Sequence, residues 1–189
     1  MAYAVTLPLD VDAAARVRAL WDALSAAGFA NRAARLGYEP HLTLALLDDT
    51  ADASRLGQIV SDISADWRAM RLSLSAVAAF PTDRATLWLA PTVTAPLLGL
   101  HAALCAALPA SHPNYRPGAW IPHVTLADDV TSSTIGAGID LVAQRFHTFT
   151  AILDRVDLLR FPPITLLWHA PLAAAHTHRA PHPSPPADA

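Results

Sequence analysis

Apolar residues recur at helical spacing in four stretches of the chain. Val17, Leu20, Trp21 and Leu24 follow i, i+3, i+4, i+7, with Gly28 placed to stop the helix. Leu56, Ile59, Val60 and Ile63 repeat the spacing after the polar run DDTADAS. Leu97, His101, Leu104, Cys105 and Leu108 form a third stripe, and Ile135, Ile139, Val142 and Phe146 a fourth. Between the stripes lie strand-like runs at Tyr3–Leu9, His41–Leu47, Arg71–Phe80, Ala85–Ala90, His123–Ala127, Phe149–Phe161 and Ile164–Ala170. Of these, RLSLSAV alternates apolar and polar residues as a half-buried strand does. The predicted order is β-α-β-α-β-β-α-β-α-β-β. It describes an α+β fold of two similar lobes, with sheets facing each other and helices outside.

The pattern changes after Leu172. The remaining AAAHTHRAPHPSPPADA is rich in Pro, Ala and His, a composition that does not build a core. A single bilobal domain over residues 1–172 and a disordered tail over 173–189 are expected. His176, His178 and His182 are read as part of that solvated tail.

Two strand openings are alike. Residues 38–45 read YEPHLTLA and residues 120–127 read WIPHVTLA: aromatic, any residue, Pro, His, aliphatic, Thr, Leu, Ala. In a strand, alternate side chains share a face, so His41 and Thr43 point one way while Leu42 and Leu44 point the other. His123 and Thr125, with Val124 and Leu126, repeat the arrangement. Pro40 and Pro122 suit the first position of a strand, where a missing N–H costs no ladder bond. A single His in a strand is usually a packing or surface residue. Two at matched positions with matched neighbours are not explained by packing, because a core does not ask for imidazole.

If the lobes are related by an approximate two-fold axis, the two His-Thr pairs meet across a cleft. Two imidazoles that exchange protons near neutral pH and two hydroxyl donors then face one another. This set suits cleavage of a phosphodiester. One neutral imidazole takes a proton from water, the other protonated imidazole gives one to the leaving oxygen, and the hydroxyls bind the non-bridging oxygens. Neither a metal nor a cofactor is required.

The paired PHLTLA and PHVTLA segments resemble the His-x-Thr/Ser signatures of the 2H phosphoesterase superfamily, which includes LigT-like 2′-5′ RNA ligases and plant-type cyclic nucleotide phosphodiesterases. The resemblance covers about residues 1–172 and extends to the ATLWLAP and LLGLHAALCAAL segments. It implies a bilobal fold with both motifs facing a cleft. It also implies activity on 2′,3′-cyclic phosphates of nucleotides or RNA ends, on ADP-ribose cyclic phosphate, or on 2′-5′ linkages, with the 2′-phosphate the favoured product. By position it assigns His41, Thr43, His123 and Thr125 as the catalytic set. Relatives often carry Arg or Tyr five residues after the second His, and here that position is Asp128. Either Asp128 turns away from the phosphate or another residue supplies positive charge, first Arg116 in HPNYRPGAW and next Arg84 in FPTDRAT.

Tyr38 and Trp120, three residues before each His, either stack on a base or face the core. Tyr115 is a further candidate for the site lining. Trp21, Trp67, Trp88 and Trp168 read as packing residues, as do His101 and His169. Cys105 reads as a small buried thiol. Asp48-Asp49 and Asp128-Asp129 each follow a motif strand and are expected to cap the next helix; a divalent-metal site is the competing reading.

Composition narrows the partners. The chain has 189 residues, 53% hydrophobic and 15% charged, with a net charge of −3 and no lysine among its 13 basic residues. A protein that grips long nucleic acid usually carries a basic field. A small nucleotide substrate, or at most the end of an RNA, is expected instead. No apolar run approaches a membrane span, MAYAVTLPLD shows no signal-peptide pattern, and the lone Cys105 suits a reducing compartment. A cytoplasmic monomer is expected. The rival from another class is a module that binds a nucleotide or RNA end in the same cleft without turnover.

Overall fold

The computed structural model describes residues 2–48, 51–80, 82 and 84–174. Two four-stranded sheets, antiparallel throughout, form the frame. The first has the order β2-β1-β7-β8, built from β1 (Ala2–Pro8), β2 (His41–Asp48), β7 (Arg155–Phe161) and β8 (Thr165–Pro171). The second has the order β5-β4-β3-β6, built from β3 (Met70–Phe80), β4 (Arg84–Pro91), β5 (Val124–Thr131) and β6 (Phe149–Leu153). The chain thus starts in one sheet, builds the whole of the other, and returns. Both motif strands, β2 and β5, stand at a sheet edge beside a central strand. This is the pseudo-symmetry that the doubled motif predicts.

Helices α1 (Val11–Ala26), α3 (Ala53–Ala65), α4 (Ala95–Ala107) and α5 (Ile135–Ala143) coincide with the four apolar stripes. Asp10 caps α1 by accepting from the Asp12 and Ala13 amides, and Asp52 caps α3 in the same way. Gly28, at φ +86°, ends α1 in the left-handed conformation that glycine adopts without strain. Phe146 lies beyond the end of α5 but still packs on the core.

Three features differ from the sequence reading. The expected strand Phe149–Phe161 is two strands in different sheets, β6 pairing with β3 and β7 with β1, so the described residues form eight strands rather than seven. A short helix, α2 (Arg32–Arg35), precedes the first motif, and a 3₁₀ turn at Pro113–Tyr115 precedes the second. β5 runs to Thr131, past the expected Ala127. Its pairing with β4 slips at Asp128-Asp129, where Asp129 takes φ +58°. That is a bulge, and it lets one strand carry two neighbouring carboxylates in different directions.

The anchoring face is as the alternation requires. Leu42, Leu44, Val124 and Leu126 are all completely buried, in one core with Leu7 of β1 and Leu87 and Leu89 of β4. Each such leucine contributes roughly 2 kcal/mol of burial, enough to fix which face of each motif strand turns inward. Leu172 is buried, and Ala173 is hydrogen-bonded to Trp67 and Ala69. The tail histidines His176, His178 and His182 lie outside the described residues. Among the described residues, no helix is long and apolar enough to cross a membrane.

Candidate active site

Both His-Thr pairs line a single cavity of about 680 Å³ between the two sheets. The two imidazoles are held alike. His41 Nδ1–H donates to the carbonyl of Glu39 at 2.6 Å, and His123 Nδ1–H donates to the carbonyl of Ile121 at 2.7 Å. A carbonyl only accepts, so Nδ1 carries the proton in both rings. Nε2 is left as the titrating atom. In each case the acceptor lies two residues earlier, across the motif proline, which explains why Pro belongs to the motif. Proline's fixed φ shapes the bend that brings that carbonyl back to the ring.

Burial lowers the pKa of His41 below the ordinary histidine value. The bond to Glu39 opposes that shift, while the positive charge His123 gains on protonation adds to it. His123 is lowered by burial too, again opposed by its carbonyl bond. Each ring also has an aromatic neighbour on the cavity wall. Tyr38 lies 5.2 Å from His41 between ring centres, and Phe80 meets His123 edge-on at 5.0 Å.

The backbones of the motif strands are fixed from across the molecule. The Trp120 indole N–H donates to the Thr43 carbonyl, and the Trp21 indole N–H donates to the Thr125 carbonyl, both at 2.9 Å. Ser111 Oγ donates to the Leu46 carbonyl and accepts from the Leu46 amide, while the Asn31 side-chain amide donates to the Leu126 carbonyl. Edge strands expose unpaired main-chain groups, and here those groups hold the two motifs in place.

The remaining expected residues divide. Tyr38 and Tyr115 line the cavity; burial raises both phenol pKa values, with Thr43 opposing the shift at Tyr115 and Arg32 opposing it at Tyr38. Trp120 instead stacks on His101 at 3.9 Å. Arg116 donates to the Ser111 carbonyl, and Arg84 pairs with Asp129 at 2.9 Å in solvent. Trp120, Arg116 and Arg84 stand outside the cavity lining. Trp21, read as packing alone, lines the cavity as well as tying β5.

Arg32 is not singled out by the sequence, yet it is on the cavity wall. It opens α2, and its backbone N–H donates to Asp128 Oδ2 at 2.8 Å. Asp128 therefore caps a helix, but one that lies 96 positions earlier instead of the one that follows. Among the described residues Asp129 pairs with Arg84 and caps no helix, and α5 begins without a side-chain cap. One signal is available. Each motif is preceded by a glycine at positive φ, Gly37 and Gly118, and each glycine follows a short helical turn.

Among the described residues, no group of three His, Cys, Asp or Glu side chains gathers as a metal-ligand set. The Cys105 thiol lies 3.4 Å from His101 Nε2 beside the Tyr115 carbonyl, and burial raises its pKa, as for a packed thiol.

The fold has solved counterparts. LigT of E. coli in its apo form superposes with a TM-score of 0.62 at 16% identity, covering 91% of this chain and 97% of LigT. TT0787 of Thermus thermophilus gives 0.63 at 16% identity, covering 93% of this chain and 100% of that one. Usb1 of Kluyveromyces marxianus gives 0.53 at 14% identity, covering 90% and 98%. Among curated protein sequences, none matches. The family model of the 2′-5′ RNA ligase superfamily matches residues 7–162, a span that holds both His-x-Thr strands, their edge ties and most of both sheets. The chain is a member of that superfamily, the 2H phosphoesterases.

Proposed function

We propose that the protein is a metal-independent phosphodiesterase that opens 2′,3′-cyclic phosphates of nucleotides or RNA ends, with the 2′-phosphate as product. The observation that carries this reading is the matched pair of imidazoles. Each is fixed through Nδ1–H to its own chain, each leaves Nε2 to titrate, and both line one cavity with Thr43 and Thr125.

The chemistry balances with these four residues. One neutral imidazole accepts a proton at Nε2 from a water whose oxygen bonds to phosphorus. The other, as imidazolium, gives its Nε2 proton to the 3′ oxygen as the P–O3′ bond breaks. The Thr43 and Thr125 hydroxyls donate to the non-bridging oxygens, where charge accumulates. The cycle ends with the two protonation states exchanged, and solvent resets them. Pseudo-symmetry makes the two rings alike, so substrate orientation decides which is base. Tyr38 and Tyr115 are the proposed contacts for the nucleoside. Solved structures of LigT with ATP, 3′-AMP, NADP+ and phosphate support a nucleotide-sized ligand.

The test is hydrolysis of 2′,3′-cyclic nucleotides in EDTA by wild type, His41→Ala and His123→Ala. Turnover should survive EDTA and fall about 10²- to 10⁴-fold in each variant. Turnover abolished by EDTA would replace this mechanism with a metal-dependent one. Nucleotide binding without turnover would make the protein a binding module.

A further inference from the structure

The cavity wall carries one arginine and one carboxylate among its described residues, and they are tied together. The Arg32 amide donates to Asp128 Oδ2 at 2.8 Å, the Asp128 amide donates to the Ala30 carbonyl at 3.0 Å, and buried Asn31 donates to Leu126 at 2.9 Å. Three bonds thus sew residues 30–32 onto β5. The place of Arg32 is set by the second motif strand, not by the four-residue helix it begins.

The Arg32 guanidinium takes part in none of the ion pairs formed among the described residues, whereas Arg84 is held by Asp129 and Arg155 by Glu39 and Asp157. Its charge reaches the phenol of Tyr38, which stands beside His41.

The charges can be counted. Arg32 and Asp128 cancel, and the imidazolium that the reaction requires leaves the cavity one positive charge. A phosphodiester carries one negative charge at neutral pH. A phosphomonoester carries nearly two, its second pKa lying about 6. Resting on the phosphodiesterase reading, we propose that the Asp128 carboxylate, by offsetting Arg32, narrows the advantage that a positive cavity gives the doubly charged monoester over the singly charged diester. Arg32 draws the substrate in, and the Asp128 carboxylate opposes retention of the product once its second charge appears. Both residues determine specificity without exchanging a proton with the substrate.

The experiment compares wild type with Asp128→Asn, Arg32→Gln and Arg32→Lys. Asparagine keeps an acceptor for the Arg32 amide and removes only the charge. The Michaelis constant for 2′,3′-cyclic AMP is measured beside the calorimetric dissociation constant of adenosine 2′-monophosphate. Asp128→Asn should tighten the monophosphate about fivefold, the effect of one charge at close range in partial solvent, while changing the Michaelis constant about twofold or less. Arg32→Gln should weaken both, and Arg32→Lys should restore both. An unchanged monoester-to-diester preference in Asp128→Asn, with turnover intact, would overturn the inference and leave the phosphodiesterase reading standing. Tighter monophosphate binding in that variant without turnover in wild type would uphold the charge matching and defeat the phosphodiesterase reading.

Discussion

The indole N–H of Trp120 donates to the main-chain carbonyl of Thr43 at 2.9 Å, although the two residues belong to different motifs 77 positions apart. Trp21 does the same for Thr125 across 104 positions. Each motif strand is thus held by a tryptophan that the other part of the chain supplies. Trp120→Phe keeps a ring against His101 and removes the donor. It should lower stability by about 1 kcal/mol and kcat by about tenfold, with KM moving less. Trp21→Phe should act in the same sense and cost more stability, since Trp21 is buried to 6% exposure and loses packing as well. Denaturant midpoints and initial rates check both; an unchanged kcat in Trp120→Phe would show that the tie does not position Thr43.

Much of this arrangement is written locally. The alternation in PHLTLA and PHVTLA sets which face of each strand is buried, and the four apolar stripes give the four longer helices. What stays illegible depends on partners distant in sequence. RAAR is made of good helix formers behind a capping Asn31, but four residues show no apolar period, and α2 is set in place only by Asp128 and Asn31 reaching β5. Apolar alternation runs on through Asp154, so β6 and β7 read as one strand. They separate only because β6 pairs with β3 and β7 with β1. Arg32 escapes for the same reason: closeness to the second motif along the chain points to Arg116, and only the fold brings residues 30–32 to β5.

Gly99 of α4 tests the packing of that helix against Trp67. A Cβ there would stand 2.4 Å from the ring of Trp67, closer than any real contact. Alanine ordinarily stabilises a helix interior by about 1 kcal/mol relative to glycine. Gly99→Ala should instead destabilise, by about 1–3 kcal/mol, because the half-buried Trp67 indole, packed against the core, must shift. Thermal unfolding decides the sign. A gain in stability would mean that the indole moves aside freely.

Phe80 packs against His123. Its ring meets the imidazole edge-on at 5.0 Å and stacks on Trp88 at 4.9 Å. Burial is the main cause of the lowered His123 pKa, so Phe80→Ala should raise that pKa toward 6.5 and reduce kcat/KM about tenfold. Proton NMR titration of the imidazole measures the first effect, and initial rates measure the second. A pKa that stays in place would assign the burial of the ring to its other neighbours, Trp88 among them.

The pH dependence follows from both histidines together. The proposed mechanism needs one neutral and one protonated ring, so kcat/KM should trace a bell. With two ordinary histidines its centre would lie near about 6.5. Burial lowers both His41 and His123, so protonation of the base and loss of the acid proton both move down, and the centre falls below 6.5. Bound substrate brings a negative charge that favours the imidazolium and opposes that lowering. The optimum of kcat should therefore lie above that of kcat/KM. Initial rates from about pH 4.5 to 8.5 resolve the two profiles. A kcat/KM curve that rises steadily through about pH 8 would mean that no imidazolium is needed and that one of the two rings does not act as an acid.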